Sequence, residues 1–111
     1  MSGGTYEVAA GPARAELRDR GSLFRALVVP VADESQARRT LSELEDEHRD
    51  ATHVCWAWRI GHPALERCSD AGEPSGTAGP PILAALRGAG LTDALVAVVR
   101  WYGGVNLGRG G

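Results

Sequence analysis

The sequence predicts an α/β or α+β sandwich with the element order β-β-β-α-β-α-β. Three observations carry that expectation. Two short strand-like runs near the N-terminus are joined by a four-residue turn. Two stretches with helical signals alternate with strand-like ones. Ala94 to Tyr102 is an almost unbroken apolar run bounded by turn residues, the pattern of a strand covered on both faces. The chain has 111 residues, 43% hydrophobic and 23% charged, the balance of one globular domain.

Tyr6 to Ala10 opens as a short strand, and Gly11-Pro12 punctuates it. Ala13 to Arg18 and Leu23 to Val29 read as a hairpin turning at Asp19-Arg20-Gly21-Ser22, and Pro30 ends the second strand because it has no N–H for a ladder. Asp33 with Gln36 three residues on forms a capping-box variant. Ala37, Leu41, Leu44 and His48 then make one apolar stripe, while Arg38, Arg39, Glu43, Asp46 and Glu47 make a solvated face. Thr52 to Ile60 has strand composition. Its alternation puts His53, Cys55, Ala57 and Arg59 on one side and Val54, Trp56, Trp58 and Ile60, the expected core side, on the other. Gly61 to Gly79 reads as a polar connection. Ile82, Leu83 and Leu86 stripe a second helix that tolerates Pro80 and Pro81 only in its first turn, and Gly88 and Gly90 end it.

All twelve basic residues are Arg, which excludes a Schiff-base lysine, a P-loop lysine and any lysine acid or base. A net charge of −2 supplies no general field for nucleic acid. Two cysteines are too few for a disulfide scaffold, and free thiols in a reducing compartment are the expected state. Neither a signal peptide nor a membrane-length apolar run is visible, so the expected location is cytoplasmic.

His53, Cys55, His62 and Cys68 are the one metal-like set, but their spacing does not supply the tight pairs that zinc prefers, so neither a metal nor a cofactor is expected. Ser69 to Gly79 packs two carboxylates, three hydroxyls and three glycines before a helix. Glycines admit a ligand to the backbone and a helix start attracts anions, yet Asp70 and Glu73 would repel a phosphate. The plainer reading is a long capped turn with Ser75 or Thr77 as N-cap. After the last strand, the run from Gly103 to Gly111 has the strand–glycine–loop order of phosphate sites, but it satisfies neither the P-loop pattern nor the dinucleotide fingerprint.

The segments Ser69-Asp70-Ala71-Gly72-Glu73-Pro74-Ser75-Gly76-Thr77-Ala78-Gly79 and Arg100-Trp101-Tyr102-Gly103-Gly104-Val105-Asn106-Leu107-Gly108-Arg109-Gly110-Gly111 resemble the signatures of the N-terminal domain of the IMPACT/YigZ family. Arg20-Gly21-Ser22-x-Phe24, Ala51-Thr52-His53-x-Cys55-x-Ala57 and Gly90-Leu91-Thr92 match as well. The resemblance implies an α+β two-layer sandwich, a β-sheet with helices on one face. That is the fold of the second domain of a small-subunit ribosomal protein and of domain IV of translocation elongation factors. It implies a translation regulator, linked in eukaryotic members to stress, whose partner is RNA, the ribosome or a translation-regulatory protein. Two positions depart from the family pattern: Pro80 where Arg is common, and Leu23 where a basic residue is frequent. The family continues past the final glycines into a further helix, and bacterial members add a small second domain, so a single domain, incomplete at its C-terminus, is expected over residues 1–111.

The candidate partner contacts are Arg20, Arg59, Arg100 and Arg109, with Trp101 and Tyr102 as stacking groups. The signature-loop residues are His53, Ser69, Asp70, Glu73, Pro74, Ser75, Gly76 and Thr77, and the glycine loop holds Gly103, Gly104, Gly108, Gly110 and Gly111. No catalytic set is assigned. The alternative is a small-ligand site or metal-dependent hydrolase in which His53 and the Asp70–Thr77 loop share a cleft.

Overall fold

A computed structural model describes residues 7–8, 11–19, 21–70 and 78–101. The order is β1 (Glu7–Val8), β2 (Ala13–Asp19), β3 (Ser22–Pro30), α1 (Glu34–Glu47), β4 (His53–Ile60), β5 (Leu65–Ser69), α2 (Gly79–Gly88), β6 (Leu91–Thr92) and β7 (Ala94–Trp101). Five strands form an antiparallel sheet in the order β2-β3-β7-β4-β5, and β1 pairs with β6 in a separate parallel ribbon. β2 and β3 turn between Asp19 and Ser22, where Gly21 takes φ +83°, a value that side-chain-bearing residues seldom adopt.

The sequence fails to announce β5 and β6, and each omission has a cause. β5 (LERCS) shows no apolar alternation, because it is an edge strand whose polar residues pair across the sheet rather than fill a core. β6 is only two residues long. Of the expected Tyr6–Ala10 strand, Glu7–Val8 is present, and Tyr6, Ala9 and Ala10 lie outside the described residues.

α1 begins as its cap predicts: Asp33 Oδ1 accepts the Gln36 N–H at 2.8 Å, and Gln36 Oε1 accepts the Ala32 N–H at 2.6 Å. Its stripe of Ala37, Leu41 and Leu44 packs with Trp58, Ile60, Leu95 and Ala97 on one face of the sheet. α2 buries Leu83 and Leu86 with Ala57 and Ala94. Residues 94 and 57 alternate with 95 and 58 along their strands, so α2 covers the opposite face. The helices therefore lie on two faces, a correction to the two-layer arrangement with helices on one face. The reason lies in β4 and β7, which carry apolar side chains at both parities: Ala57 and Trp58 are each 0% exposed, as are Ala94 and Leu95. A strand apolar on both sides needs a cover on both.

Candidate functional site

Antiparallel pairing brings the starts of β3 and β4 and the ends of β5 and β7 to one end of the sheet. Both signature segments begin there. His53 stands directly opposite Arg100, and Arg100 directly opposite Phe24, so the three form a row on the α2 face. The Arg100 guanidinium carbon lies 5.3 Å from the centre of the Phe24 ring, within cation–π range. The Arg100 carbonyl accepts the Thr52 N–H at 2.8 Å, tying β7 to the approach of β4. Cys55 shares the face of His53, is 3% exposed, and donates its S–H to the Asp70 carbonyl at 3.2 Å.

Asp70 has a defined task. Its Oδ1 accepts the N–H groups of Ala78 at 2.9 Å and Gly79 at 2.7 Å. Ala78 occupies the N-cap position of α2 and makes no side-chain cap, so Asp70 supplies the missing acceptor from across the connection. This corrects the reading of Ser75 or Thr77 as cap, because the helix starts at Gly79, beyond both hydroxyls. Gly79 allows the approach: a Cβ there would lie 2.9 Å from the carbonyl carbon of Ser69 and 3.0 Å from its nitrogen and oxygen. Ser69-Asp70 and Ala78-Gly79 thus form a closed neck for the intervening segment. Glu73, Pro74, Ser75, Gly76 and Thr77 lie outside the described residues, as do Arg20, Tyr102, Arg109, Gly103, Gly104, Gly108, Gly110 and Gly111.

Two of the candidate partner contacts are held inside the fold. Arg59 donates to Glu66 Oε2 at 2.8 Å and to the Leu91 carbonyl at 2.8 Å, which ties β4 to β5 and β6. Glu66 also receives Arg87 of α2 at 2.7 Å. The Arg87 hydrogen bond, reinforced by Arg59 and opposed by desolvation, holds the Glu66 carboxyl below its ordinary range. Arg59 therefore fastens strands instead of presenting a free charge. Trp101 is 9% exposed and faces the other side of the sheet, where the Arg25 guanidinium lies 5.1 Å from its ring centre and His48 lies 5.8 Å away. With its ring covered, Trp101 offers no platform for a base.

A group that sequence reasoning missed surrounds Trp101. His48 donates from Nδ1 to the Leu44 carbonyl at 2.7 Å, which leaves Nε2 to accept from Arg25 at 3.1 Å. Arg25 also donates to Glu16 at 2.6 Å. Arg14, Arg25, Glu47 and His48 border a cavity of about 270 Å³ beside this chain of contacts. Its only signal in the sequence is a histidine on an otherwise apolar helix stripe. Among the described residues, no three His, Cys, Asp or Glu gather as a metal set: His53 and Cys55 lie near the start of β4, and His62 follows its far end.

A larger recess opens on the α2 face. It has a volume of about 410 Å³, and Val28, Val96 and Val98 form its floor while Pro81, Ile82 and Ala85 form a wall. The described part of the molecule is thus an α+β domain with a pinned loop neck at one end of its sheet and an apolar recess on one face.

That class has a family. Residues 20–111 match the Impact N-terminal domain, and the chain belongs to that family. The IMPACT family member YigZ of Escherichia coli is 37% identical over 110 residues, covering 96% of this chain and 54% of YigZ. An IMPACT family member of Thermus thermophilus is 47% identical over 92 residues, covering 81% of this chain and 48% of the relative. Human protein IMPACT is 35% identical over 98 residues, covering 83% and 30%. The chain spans about half the length of these two bacterial relatives. Among solved structures, a crystal structure of a hypothetical protein matches with a TM-score of 0.84 at 36% identity, covering 88% of this chain and 49% of that one. The two-domain translational regulator Yih1 matches with a TM-score of 0.69 at 30% identity, covering 91% and 41%. No helix among the described residues is long and apolar enough to cross a membrane.

Proposed function

We propose that this domain is a non-enzymatic regulator of translation that works by binding a translation factor, the ribosome or RNA. The carrying observation is that the described first residues of both signature segments, Ser69-Asp70 and Arg100-Trp101, lie at the same sheet end as His53, in a chain similar to the translational regulator Yih1. A cytoplasmic location and a role under stress belong to the same reading. So does kinship with the second domain of a small-subunit ribosomal protein and domain IV of translocation elongation factors, a fold-level analogy.

Charge placement favours a protein partner over RNA. Arg59 and Arg87 share Glu66, Arg25 is paired with Glu16, and the net charge is −2, so the internally satisfied arginines form no cationic track. The hydrolase alternative loses support for a separate reason: Asp70 Oδ1 is already the acceptor for two backbone N–H groups.

Ribosome co-sedimentation and RNA filter binding, each with the parent and Arg100→Ala, separate the partners. Capture by ribosomes or a purified translation factor, lost in Arg100→Ala, supports the reading. Retention of RNA that falls steeply with salt would move the partner to nucleic acid. Absence of all three interactions overturns the proposal.

A further inference from the structure

We infer that the outer edge of β2 is a self-association surface, where β2 of a second copy of this chain pairs antiparallel and continues the sheet. The inference is independent of the translation partner and rests on an open strand edge whose charges complement their own reverse.

β2 ends the five-stranded sheet, and among the described residues nothing pairs with its outer side. Such an edge offers unpaired N–H and C=O groups, and proteins usually blunt it with a bulge, a proline, a very short strand or a cover. β2 shows none of these among the described residues. Its register with β3 runs unbroken from Ala13 opposite Val28 to Asp19 opposite Ser22. It holds neither proline nor glycine, and Ala13 to Arg18 are all exposed. β5, the opposite edge, has five residues and packs against α2.

Charge selects the occupant. Arg14, Glu16 and Arg18 alternate along the α1 face of β2, and Ala13, Ala15 and Leu17 lie on the other face. Among the described residues, Arg14 and Arg18 make no ion pair. Arg25 bonds Oε2 of Glu16, whose side chain is still 44% exposed, so Oε1 is open to a second cation. An antiparallel copy centred on Ala15 sets Arg14 opposite the partner's Glu16 and, by the two-fold axis, Glu16 opposite the partner's Arg14. The same register lays Leu17, 64% exposed, against the partner's Ala13, and Ala15 against the partner's Ala15. Two ion pairs thus line one face and an apolar row the other. Centring on Glu16 would oppose arginine to arginine and glutamate to glutamate, which is repulsive. Centring on Leu17 carries Arg14 past the end of the partner's β2. Residues 13 to 17 of each strand pair across the axis, a contact without a core of its own, so the association is weak.

Sedimentation equilibrium of the 111-residue chain from about 1 to 500 μM should show a monomer–dimer transition inside that range. Amide hydrogen exchange locates it: alternate N–H groups of β2 should exchange more slowly at about 500 μM than at about 5 μM. Arg14→Glu and Glu16→Arg each set like charges opposite one another and should weaken self-association by about tenfold or more. Mixed together, the two variants recover both ion pairs, and their heterodimer should return to within about threefold of the parent affinity. Ala15→Asp, which brings two carboxylates together on the axis and leaves Arg25 alone, should weaken the dimer as well. Arg39→Glu, on the solvated face of α1, should leave it intact. Far-UV CD and urea midpoints, read for every variant, separate lost pairing from lost folding. A chain that stays monomeric at every concentration overturns the inference. So does a dimer indifferent to Arg14→Glu, or a mixture of Arg14→Glu and Glu16→Arg that fails to associate.

Discussion

Truncating Asp70 to alanine tests the neck of the signature loop. In the parent, one carboxylate oxygen bonds the Ala78 and Gly79 N–H groups, and α2 has no cap of its own. Loss of a helix N-cap costs about 1–2 kcal/mol. Loss of a negative charge beside the helix N-terminus adds about 0.5 kcal/mol. Asp70→Ala should therefore destabilise the domain by about 2 kcal/mol, which for a chain of this size lowers Tm by about 8 °C. Asp70→Asn keeps an acceptor oxygen and loses only the charge, so it should cost about 0.5 kcal/mol. Urea unfolding at pH 7 with a shared m-value measures both variants. An Asp70→Ala chain within about 0.3 kcal/mol of the parent would refute the capping role. Equal damage from Asn and Ala would show that charge, not acceptance, is what α2 requires.

Gly79→Ala should destabilise by about 1–3 kcal/mol, since the new methyl meets the Ser69 backbone on three atoms and no flexible side chain can yield. Urea titration reads it, and a stabilised variant would show that β5 and α2 can separate. Leu95→Ala, at a fully buried position of β7, should cost about 2–5 kcal/mol by the same measurement. Glu66 gives a pH signature. Its carboxyl titrates below the ordinary range when folded, so its contribution is complete above the unfolded value, near 4.3, and is lost as pH falls through the folded one. The parent should thus lose more Tm than Glu66→Gln between about pH 5 and pH 2, and parallel acid profiles would contradict the ion-pair assignment.

Elements governed by local chemistry are visible in the sequence. The Asp33 cap, the α1 stripe, the hairpin at Gly21 and the apolar run of β7 all lie where their residues imply. Features decided by pairing partners are not. β5 is held by Arg59, Arg87 and the β4 ladder, so its own residues look like a loop. The site behaves in the same way. That Arg59 is spent on Glu66 and Leu91, or that Arg25 and His48 enclose Trp101, depends on register across strands far apart in the chain. The capping role of Asp70 is local, eight and nine residues from its donors, and was obscured because Ser75 and Thr77 stand closer to the helix start.

The strand order carries a consequence for biosynthesis. β7 is the last of the described strands, yet it lies between β3 and β4, which run parallel and are joined only through it. Leu23 must wait for Trp101, its register partner. During translation the β2–β3 hairpin and α1 can form early, but the sheet cannot close before the ribosome has released Trp101. Loop-closure entropy makes so distant a pairing slow. Until that moment the β4 edge that carries Trp58 lacks its β7 neighbour, and its backbone and apolar side chains stay open to other contacts.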